Sequence, residues 1–308
     1  MKVVNHSDMM KEYVKAVTKN INKNIVPDKI DLIISGGAFN GSYGYGIATV
    51  IKTLENENKL KVQRISGTSV GALLGASYFS NMLNESENVF SKLRKDIREC
   101  GKLNSLYEII KTAVNKRFET DKDIEILNDR LFINYTCMKT FGEVVVSKYN
   151  SKDHFVEVLF KSCYIPLLVD GNFSHDDCVD GIVPYLFKDS NYPILHINLL
   201  HLPIIAKTFL TRNEKNPHYR TLLGVSDVSS FFIEGKSDMC SWLKDWSYKQ
   251  FIIEKIKYLF CLSILIFSYY LSKIEIPDQI KKSKLCYIIS SNSNSMYKDL
   301  LYACSGKE

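Results

Sequence analysis

A serine between two glycines is the strongest chemical feature of the sequence. Residues 67–71 read Gly-Thr-Ser-Val-Gly, a G-x-S-x-G pattern centred on Ser69. In this pattern the serine occupies a sharp turn between a strand and a helix, and Gly67 and Gly71 are needed because a Cβ there would clash. A helix beginning at Val70 directs its positive end at the serine, which favours an anionic intermediate. The pattern therefore predicts a nucleophile for acyl transfer.

A second glycine-rich segment, SGGAFNG at residues 35–41, could bind an anion through its backbone N–H groups. A nucleotide phosphate is one candidate anion. The segment lacks the GK[ST] ending of a P-loop, Ala38 breaks a G-x-G-x-x-G fingerprint, and no acidic residue closes the second strand. The other candidate is an oxyanion hole built from Gly36, Gly37 and Ala38, with Gly41 as a further motif glycine. We therefore expect no nucleotide and no cofactor.

The third feature is a carboxylate, Asp180, followed by Gly181. A carboxylate at a strand end beside a glycine can approach a serine hydroxyl and accept its proton. Taken alone, an Asp-Gly pair is weak evidence because most such pairs are turns. The nearby His175-Asp176-Asp177 run, together with Asp180, offers ligands that a hard cation accepts. Consecutive loop acids are usually solvated, so we expect no metal.

Strands and helices must position these three segments. Short apolar strands are predicted at Ile30–Ile34 and Val62–Ser66, and helical patterns begin at Tyr43 and Val70. This alternation is typical of a parallel sheet covered by helices, with right-handed crossovers. Later predictions are helical periodicity over residues 86–131, strands at 143–148 and 194–200, a helix at 154–162, mostly helix to 271 and a strand at 285–289.

In combination, the three segments resemble the patatin-like phospholipase family. The family has a glycine-rich oxyanion loop, then G-x-S-x-G, then an Asp-Gly motif that follows Ser-x-x-Ile-Pro. Here SGGAFNGSYGYG, ISGTSVGALLGA, KSCYIPLL and VDGIVPYL occur in that order between about residues 30 and 200. The resemblance implies Ser69 as nucleophile, Asp180 as its base without a histidine, and oxyanion donors at residues 36–38. It also implies an α/β fold, a three-layer α/β/α sandwich with a mainly parallel central sheet, and a lipid or membrane-surface substrate.

The sequence departs from the family pattern at three positions. Ala38 stands where a third glycine is usual, Asn40 where an Arg or Lys is usual, and Ile182 where Gly or Ala is usual. Ala38 still offers its N–H if its backbone can adopt the required dihedrals. Asn40 removes a positive charge near the site, which affects the expected head-group preference more than the chemistry.

The length and net charge of the chain limit its possible domain organisation and partners. The 308 residues divide into a predicted N-terminal amphipathic helix at 1–29, a catalytic domain at 30–205 and a mainly helical C-terminal extension at 206–308. The apolar face of the first helix is predicted from Met9, Tyr13, Val17 and Ile21. The net charge of +6 comes from lysines spread along the chain, without the basic stripe that nucleic-acid binding usually shows.

Cysteines and apolar segments indicate the compartment. The eight cysteines form no C-x-x-C pair, which is typical of reduced thiols in a core. Because the N-terminus lacks an apolar signal region, we expect an intracellular, cytoplasmic or peripherally membrane-associated protein. Residues 258–272 carry no charge but are fewer than the roughly 20 that a membrane span needs. We expect a buried core helix there, with an interfacial anchor and a single span as alternatives.

Two other functions remain open at this point. A triad of the α/β-hydrolase type would use Ser69, Asp180 and either His196 or His201. His196 lies in an apolar strand, which is more typical of a core histidine. The other alternative is a catalytically silent lipid-binding or membrane-associated module, although such a module has no need to keep both Ser69 and Asp180.

Overall fold

The computed structural model describes residues 6–83, 86–201 and 218–273, and the elements named below lie in these ranges. The helices are α1 His6–Lys19, α2 Gly41–Asn56, α3 Val70–Phe79, α4 Ser86–Cys100, α5 Leu106–Arg117, α6 Lys152–Ser162, α7 Tyr219–Glu234 and α8 Tyr248–Lys273. The strands are β1 Lys29–Ile34, β2 Lys61–Thr68, β3 Leu131–Cys137, β4 Gly142–Val146, β5 Cys178–Asp180, β6 Ile194–Ile197 and β7 Cys240–Trp242.

The strands form one sheet whose central members are parallel. The order is β4-β3-β2-β1-β6-β7, and β5 also pairs with β3. β1, β2, β3 and β6 run parallel, whereas β4, β5 and β7 are antiparallel to their neighbours. The side chains of β1 from Ile30 to Ile34 are all buried, as expected for a strand in the middle of a helix-covered sheet.

Helices pack against this sheet and against one another. α3 contacts β2 and β3, α6 contacts β3, and α2 contacts both α1 and α7. Glycines on both helices allow α2 and α7 to pack closely. A Cβ at Gly46 would overlap the carbonyl of Thr221, and a Cβ at Gly224 would overlap the carbonyl of Tyr43. The predicted α/β class, with a mainly parallel sheet flanked by helices, is confirmed.

The sequence patterns missed two strands. β3 begins where the predicted helical stretch 86–131 ends, and it has neither a long apolar run nor clean alternation, because Asn134 and Thr136 are buried polar residues within it. β7 lies in the region predicted to be mostly helical to residue 271. Since β7 pairs with β6, the sheet continues past the predicted boundary at 205, and the division into domains stays a prediction.

Two predictions of buried helix faces were wrong in part. In α1 the buried residues are Met10, Val14 and Thr18, whereas the predicted Tyr13 is exposed. Ile21, which follows the end of α1 at Lys19, is buried as predicted. In α8 the segment 258–272, predicted to be a buried core helix, is exposed at described residues: Leu259 is 57% and Phe260 is 66% exposed. An uncharged run thus indicated helix correctly but not the surface against which the helix packs.

Within the described residues, none of the helices combines the length and apolarity that a bilayer crossing requires. The predicted strand at 285–289 lies outside these residues.

Candidate active site

The turns that follow β1 and β2 lie side by side. The two strands are parallel neighbours, and Ile34 is in register with Gly67. Since parallel strands end at the same edge of a sheet, the loop after β1 meets the serine turn after β2. The approach is so close that a Cβ on Gly36 would be 3.3 Å from the Cβ of Ser69. The structure therefore brings together the two segments that the sequence singled out.

Ser69 occupies a strained turn between β2 and α3. Its backbone lies at φ 53° and ψ −130°, a region that non-glycine residues rarely adopt and that costs about 1–3 kcal/mol. Gly67 and Gly71 permit the turn, since a Cβ at Gly67 would be 2.5 Å from the Gly71 carbonyl carbon and one at Gly71 would overlap the carbonyl of Ile34. The N–H of Ser69 donates a 2.9 Å hydrogen bond to Oγ of the buried Ser162.

Ser162 is a residue of the site that the sequence did not assign. It ends α6 and begins the Ser-x-x-Ile-Pro segment, which was recognised as a motif without a role for its serine. Its hydroxyl holds the backbone of the nucleophile turn from a helix 93 positions later in the chain. The Ser-x-x-Ile-Pro motif was the sequence signal that could have identified Ser162 as a site residue.

Asp180 meets the hydroxyl of Ser69. It ends β5, opposite Tyr135 of β3. The Ser69 hydroxyl lies beside the Asp180 carboxylate, and the N–H of Ile182 donates a hydrogen bond to Oδ1 of Asp180 at 2.9 Å. Burial raises the pKa of Asp180 to about 6, although the interactions with Ser69 and Ile182 oppose the shift. A carboxylate with this pKa accepts a proton more readily than an ordinary aspartate and is still ionised at neutral pH.

Backbone contacts fix the position of Asp180. Its N–H donates to the carbonyl of Tyr164 at 2.9 Å, in the segment that follows Ser162. Downstream, Asn134 Nδ2 donates to the carbonyl of Val183 at 2.6 Å. Gly181 passes so close to the backbone of Asn134 that a Cβ would lie 2.6 Å from its carbonyl oxygen. The predicted role of Gly181 is thus to let the carboxylate strand approach β3.

The loop at residues 36–38 presents backbone donors beside Ser69. Ala38 adopts the left-handed region at φ 44°, so an alanine does take up the conformation expected of the usual glycine. Among the described residues, none accepts a hydrogen bond from the N–H of Gly37 or Ala38. Gly37 must be a glycine because a Cβ would lie 2.8 Å from Leu199 Cβ. These groups are candidates for oxyanion donors.

A buried cation supports this loop from the far end of the chain. Arg220 of α7 is fully buried, and its Nη1 donates to Oδ1 of Asn40 at 3.0 Å. Asn40 Nδ2 in turn donates to the carbonyl of Leu199 at 2.9 Å. The sequence suggested that Asn40 removes a positive charge from the site, but the fold supplies a guanidinium there from another helix. No local pattern could have revealed a partner 180 positions away.

Histidine is not part of this arrangement. In the described part of the chain, neither Ser69 nor Asp180 forms a hydrogen bond with a histidine. His196 is buried in β6 with its ring against Trp246, the centroids 4.8 Å apart. Burial, with a smaller contribution from Lys257, lowers the pKa of His196 to about 4. His196 thus has the surroundings expected of a core histidine.

The acidic run before Asp180 is divided by the fold. Asp177 pairs with Lys139 at 3.1 Å. His175 and Asp176 instead cluster with Glu157 of α6, within 4.8 Å of one another. The amine of Lys161 lies 3.2 Å from Glu157 and 3.3 Å from Asp176, so an internal cation already balances these carboxylates.

A small cavity opens beside Ser69 and adjoins a larger one. The smaller, about 50 Å³, is lined by Ser69 itself and by apolar side chains. The larger, about 660 Å³, lies among α3, α4, α5 and α6 and is lined by more apolar than charged residues. Leu73, Phe90 and Leu106 line both cavities, so the two adjoin. A volume of this size is typical of small-molecule sites.

Comparison with known families adds independent evidence. Residues 32–147 match the model of the patatin-like phospholipase family, a segment that holds Ser69 and the glycine loop and ends before Asp180. The predicted family resemblance is confirmed. The chain is also similar to 1-acylglycerol-3-phosphate O-acyltransferase Pnpla3 of Mus musculus, with 24% identity over 265 residues. The alignment covers 83% of this chain and 56% of the mouse protein, so the chain spans little more than half the length of that relative.

Proposed function

We propose that this chain is a serine acyl hydrolase that cleaves carboxylic esters of lipids, either phospholipids or acylglycerols. The observation that carries the proposal is the interaction of the Ser69 hydroxyl with the buried carboxylate of Asp180, next to the backbone donors of Gly37 and Ala38. A nucleophile, a base and an anion pocket are the three parts that ester cleavage through a covalent intermediate requires.

The reaction would proceed through an acyl-serine. Asp180 takes the proton of Ser69 as Oγ attacks the ester carbonyl, and the oxyanion accepts hydrogen bonds from the N–H groups of residues 36–38. Asp180 returns this proton to the leaving alcohol as the ester C–O bond breaks, and the acyl-serine remains. Water then attacks the acyl-serine with Asp180 as base, which releases the fatty acid and restores the serine. No cofactor or metal is needed in these steps.

The adjoining cavities support a lipid substrate. An ester carbonyl at Ser69 places its acyl chain against Leu73 and Phe90, which lead from the small cavity into the 660 Å³ one. Burial of a methylene contributes about 0.8 kcal/mol, so a long chain gains much more than a short one. We therefore expect long-chain esters to be preferred over acetate or butyrate.

Acyl transfer is a second candidate, because the mouse relative is named an acyltransferase. An alcohol such as 1-acylglycerol-3-phosphate would then attack the acyl-serine in place of water. Both reactions share the first half, so the experiment must follow the fate of the acyl group. Adding the lysophospholipid to a hydrolysis assay and measuring diacylated product separates them.

The central test compares wild-type protein with Ser69→Ala and Asp180→Asn on p-nitrophenyl acyl esters. We expect both variants to lose activity to background, with unchanged melting temperature, because each lacks a reacting group. Ser229→Ala is the matched control, since Ser229 is a buried serine within α7 that donates only to the carbonyl of Val225. Near-wild-type turnover in either site variant would exclude the proposed pair.

Two further measurements separate the alternatives. A fluorophosphonate probe should label wild-type protein at Ser69, whereas a catalytically silent lipid-binding module would remain unlabelled.

Replacing His196 and His201 by Gln should leave labelling and turnover in place, whereas a histidine-dependent triad would lose both. Product analysis with phospholipid and triacylglycerol then identifies the head group.

A further inference from the structure

Two cysteines face each other across the strand pair that carries Asp180. Cys137 ends β3 and Cys178 begins β5, and the two are directly opposite in the antiparallel register. The N–H of Met138 donates to the carbonyl of Asp177 at 2.7 Å, which makes the cysteine pair a non-hydrogen-bonded position of the ladder. At such positions the Cα atoms are about 4.5 Å apart and the side chains share one face. Disulfides span Cα separations of about 4.4–6.8 Å, so the backbone spacing suits a bridge.

The two thiols differ in exposure and acidity. Cys137 is partly exposed, whereas Cys178 is buried. Burial acts to raise the pKa of Cys137, but hydrogen bonds with Thr140 and Lys139 and the charge of Lys139 together outweigh it, and the pKa lies below the ordinary thiol value. Burial raises the pKa of Cys178 despite the nearby charge of Lys161. An accessible thiolate beside a protected second thiol is the arrangement that oxidation-sensing cysteines use.

We propose that Cys137 and Cys178 form an oxidisable dithiol that closes reversibly to a cross-strand disulfide, with a peroxide as oxidant. The Cys137 thiolate attacks one oxygen of hydrogen peroxide, the O–O bond breaks, and the released hydroxide takes up a proton to become water. The sulfur of Cys178 then attacks the sulfenic acid. An S–S bond forms, the S–O bond breaks, and a second water carries away the thiol proton. A dithiol reductant reverses the bridge by thiol–disulfide exchange.

The bridge would act on the strand of the proposed catalytic carboxylate. Asp180 lies two residues after Cys178 on β5, which has only three residues and faces Tyr135 of β3. A covalent link at the start of β5 restricts how far this short strand can separate from β3. Because the cysteines are already in register, closure leaves Asp180 in place. We expect the oxidised protein to melt at a higher temperature and to keep its activity within about twofold, since cross-links act mainly on the unfolded chain.

The test maps disulfides in the full-length protein after treatment with hydrogen peroxide and alkylation of the remaining thiols. Trypsin releases Cys137 in peptide 131–139 and Cys178 in peptide 162–188. We expect these two peptides to appear joined, with a mass about 2 Da below their sum because two hydrogen atoms are lost, and to separate after dithiothreitol. Since peptide 162–188 also contains Cys163, tandem mass spectra or a Cys163→Ala variant assign the bridge.

Single variants separate the two steps. In Cys178→Ala, Cys137 should accumulate as sulfenic acid and react with dimedone, whereas in Cys137→Ala, Cys178 should remain a thiol. The exposed Cys100 and Cys261 are internal controls for unselective oxidation. Oxidation of these before Cys137, a bridge from Cys137 to any other cysteine, or separate alkylation of both thiols would overturn the proposal. The dithiol chemistry does not depend on ester cleavage at Ser69, so a failed esterase assay leaves this test intact.

Discussion

The turn after β1 and the turn after β2 are neighbours, yet they are held in different ways. The second turn presents a side chain, Ser69, and its shape is set by its own glycines and by Ser162. The first turn presents backbone N–H groups, and its shape is set by Leu199 and by the Asn40–Arg220 contact, from more than 150 positions away. The difference teaches that a nucleophile turn can be shaped mainly by its own glycines with one distant contact, whereas an anion pocket made of backbone depends on the tertiary fold throughout.

The largest expected effect concerns the first turn. Gly37→Ala places a Cβ 2.8 Å from Leu199 Cβ at a backbone conformation that L-residues rarely adopt. The loop must move, and loss of one oxyanion donor typically lowers kcat by about 10²–10³. Turnover of a p-nitrophenyl ester measures this loss. Gly142→Ala, at the β3–β4 hairpin with its nearest atom 3.3 Å away, is the matched control. Equal turnover of Gly37→Ala and wild type would show that the loop takes no part.

The next effect concerns the remote support of the same turn. Arg220→Met removes a fully buried guanidinium and leaves Oδ1 of Asn40 without that donor. We expect the free energy of unfolding to fall by about 2–4 kcal/mol, as is typical for a lost charged hydrogen bond in a buried site. We also expect kcat to fall about tenfold as the loop loosens.

A double-mutant cycle identifies the coupling. If Arg220 acts through Asn40, then Asn40→Ala combined with Arg220→Met should cost less than the sum of the single variants, because residues in one hydrogen-bond network are non-additive. Denaturant unfolding and kcat should both show this coupling. Strict additivity in both measurements would mean that the guanidinium does not support the loop.

The same contrast explains what the sequence could predict. Ser69, its glycines and Asp180 belong to short motifs whose shape follows from neighbouring residues, and the structure places them together. Arg220 lies in a helix without a motif, and only the packing of α7 on α2 brings it to Asn40. β3 was missed because Asn134 and Thr136 are buried polar residues within it, and they interrupt the apolar pattern by which a strand is recognised. The exposure of α8 could not be read from apolarity alone, because apolarity does not specify a packing partner.

A smaller effect is expected at the second turn. Ser162→Ala removes the acceptor for the N–H of Ser69, and the strained turn can then relax. An unsatisfied buried donor costs about 1–3 kcal/mol, so both the melting temperature and kcat should fall, kcat by about tenfold with little change in KM. Ser229→Ala serves as control, since its hydroxyl lies within α7. A change in KM alone would indicate that Ser162 affects binding rather than the nucleophile.

The smallest expected effect is a difference between the two turns in how their variants change the pH dependence of kcat/KM. Burial raises the pKa of Asp180 to about 6, and the protonated acid cannot accept the proton of Ser69. The value of kcat/KM should therefore fall about tenfold for each pH unit below about 6 and level off above it. The interaction with Ser69 lowers this pKa. Ser162→Ala, which loosens the serine turn, should accordingly move the acid limb upward by less than about one unit. Gly37→Ala should leave the limb where it is, because no hydrogen bond of Asp180 comes from that loop. Equal shifts in both variants, measured as kcat/KM against pH, would mean that the two turns move as one.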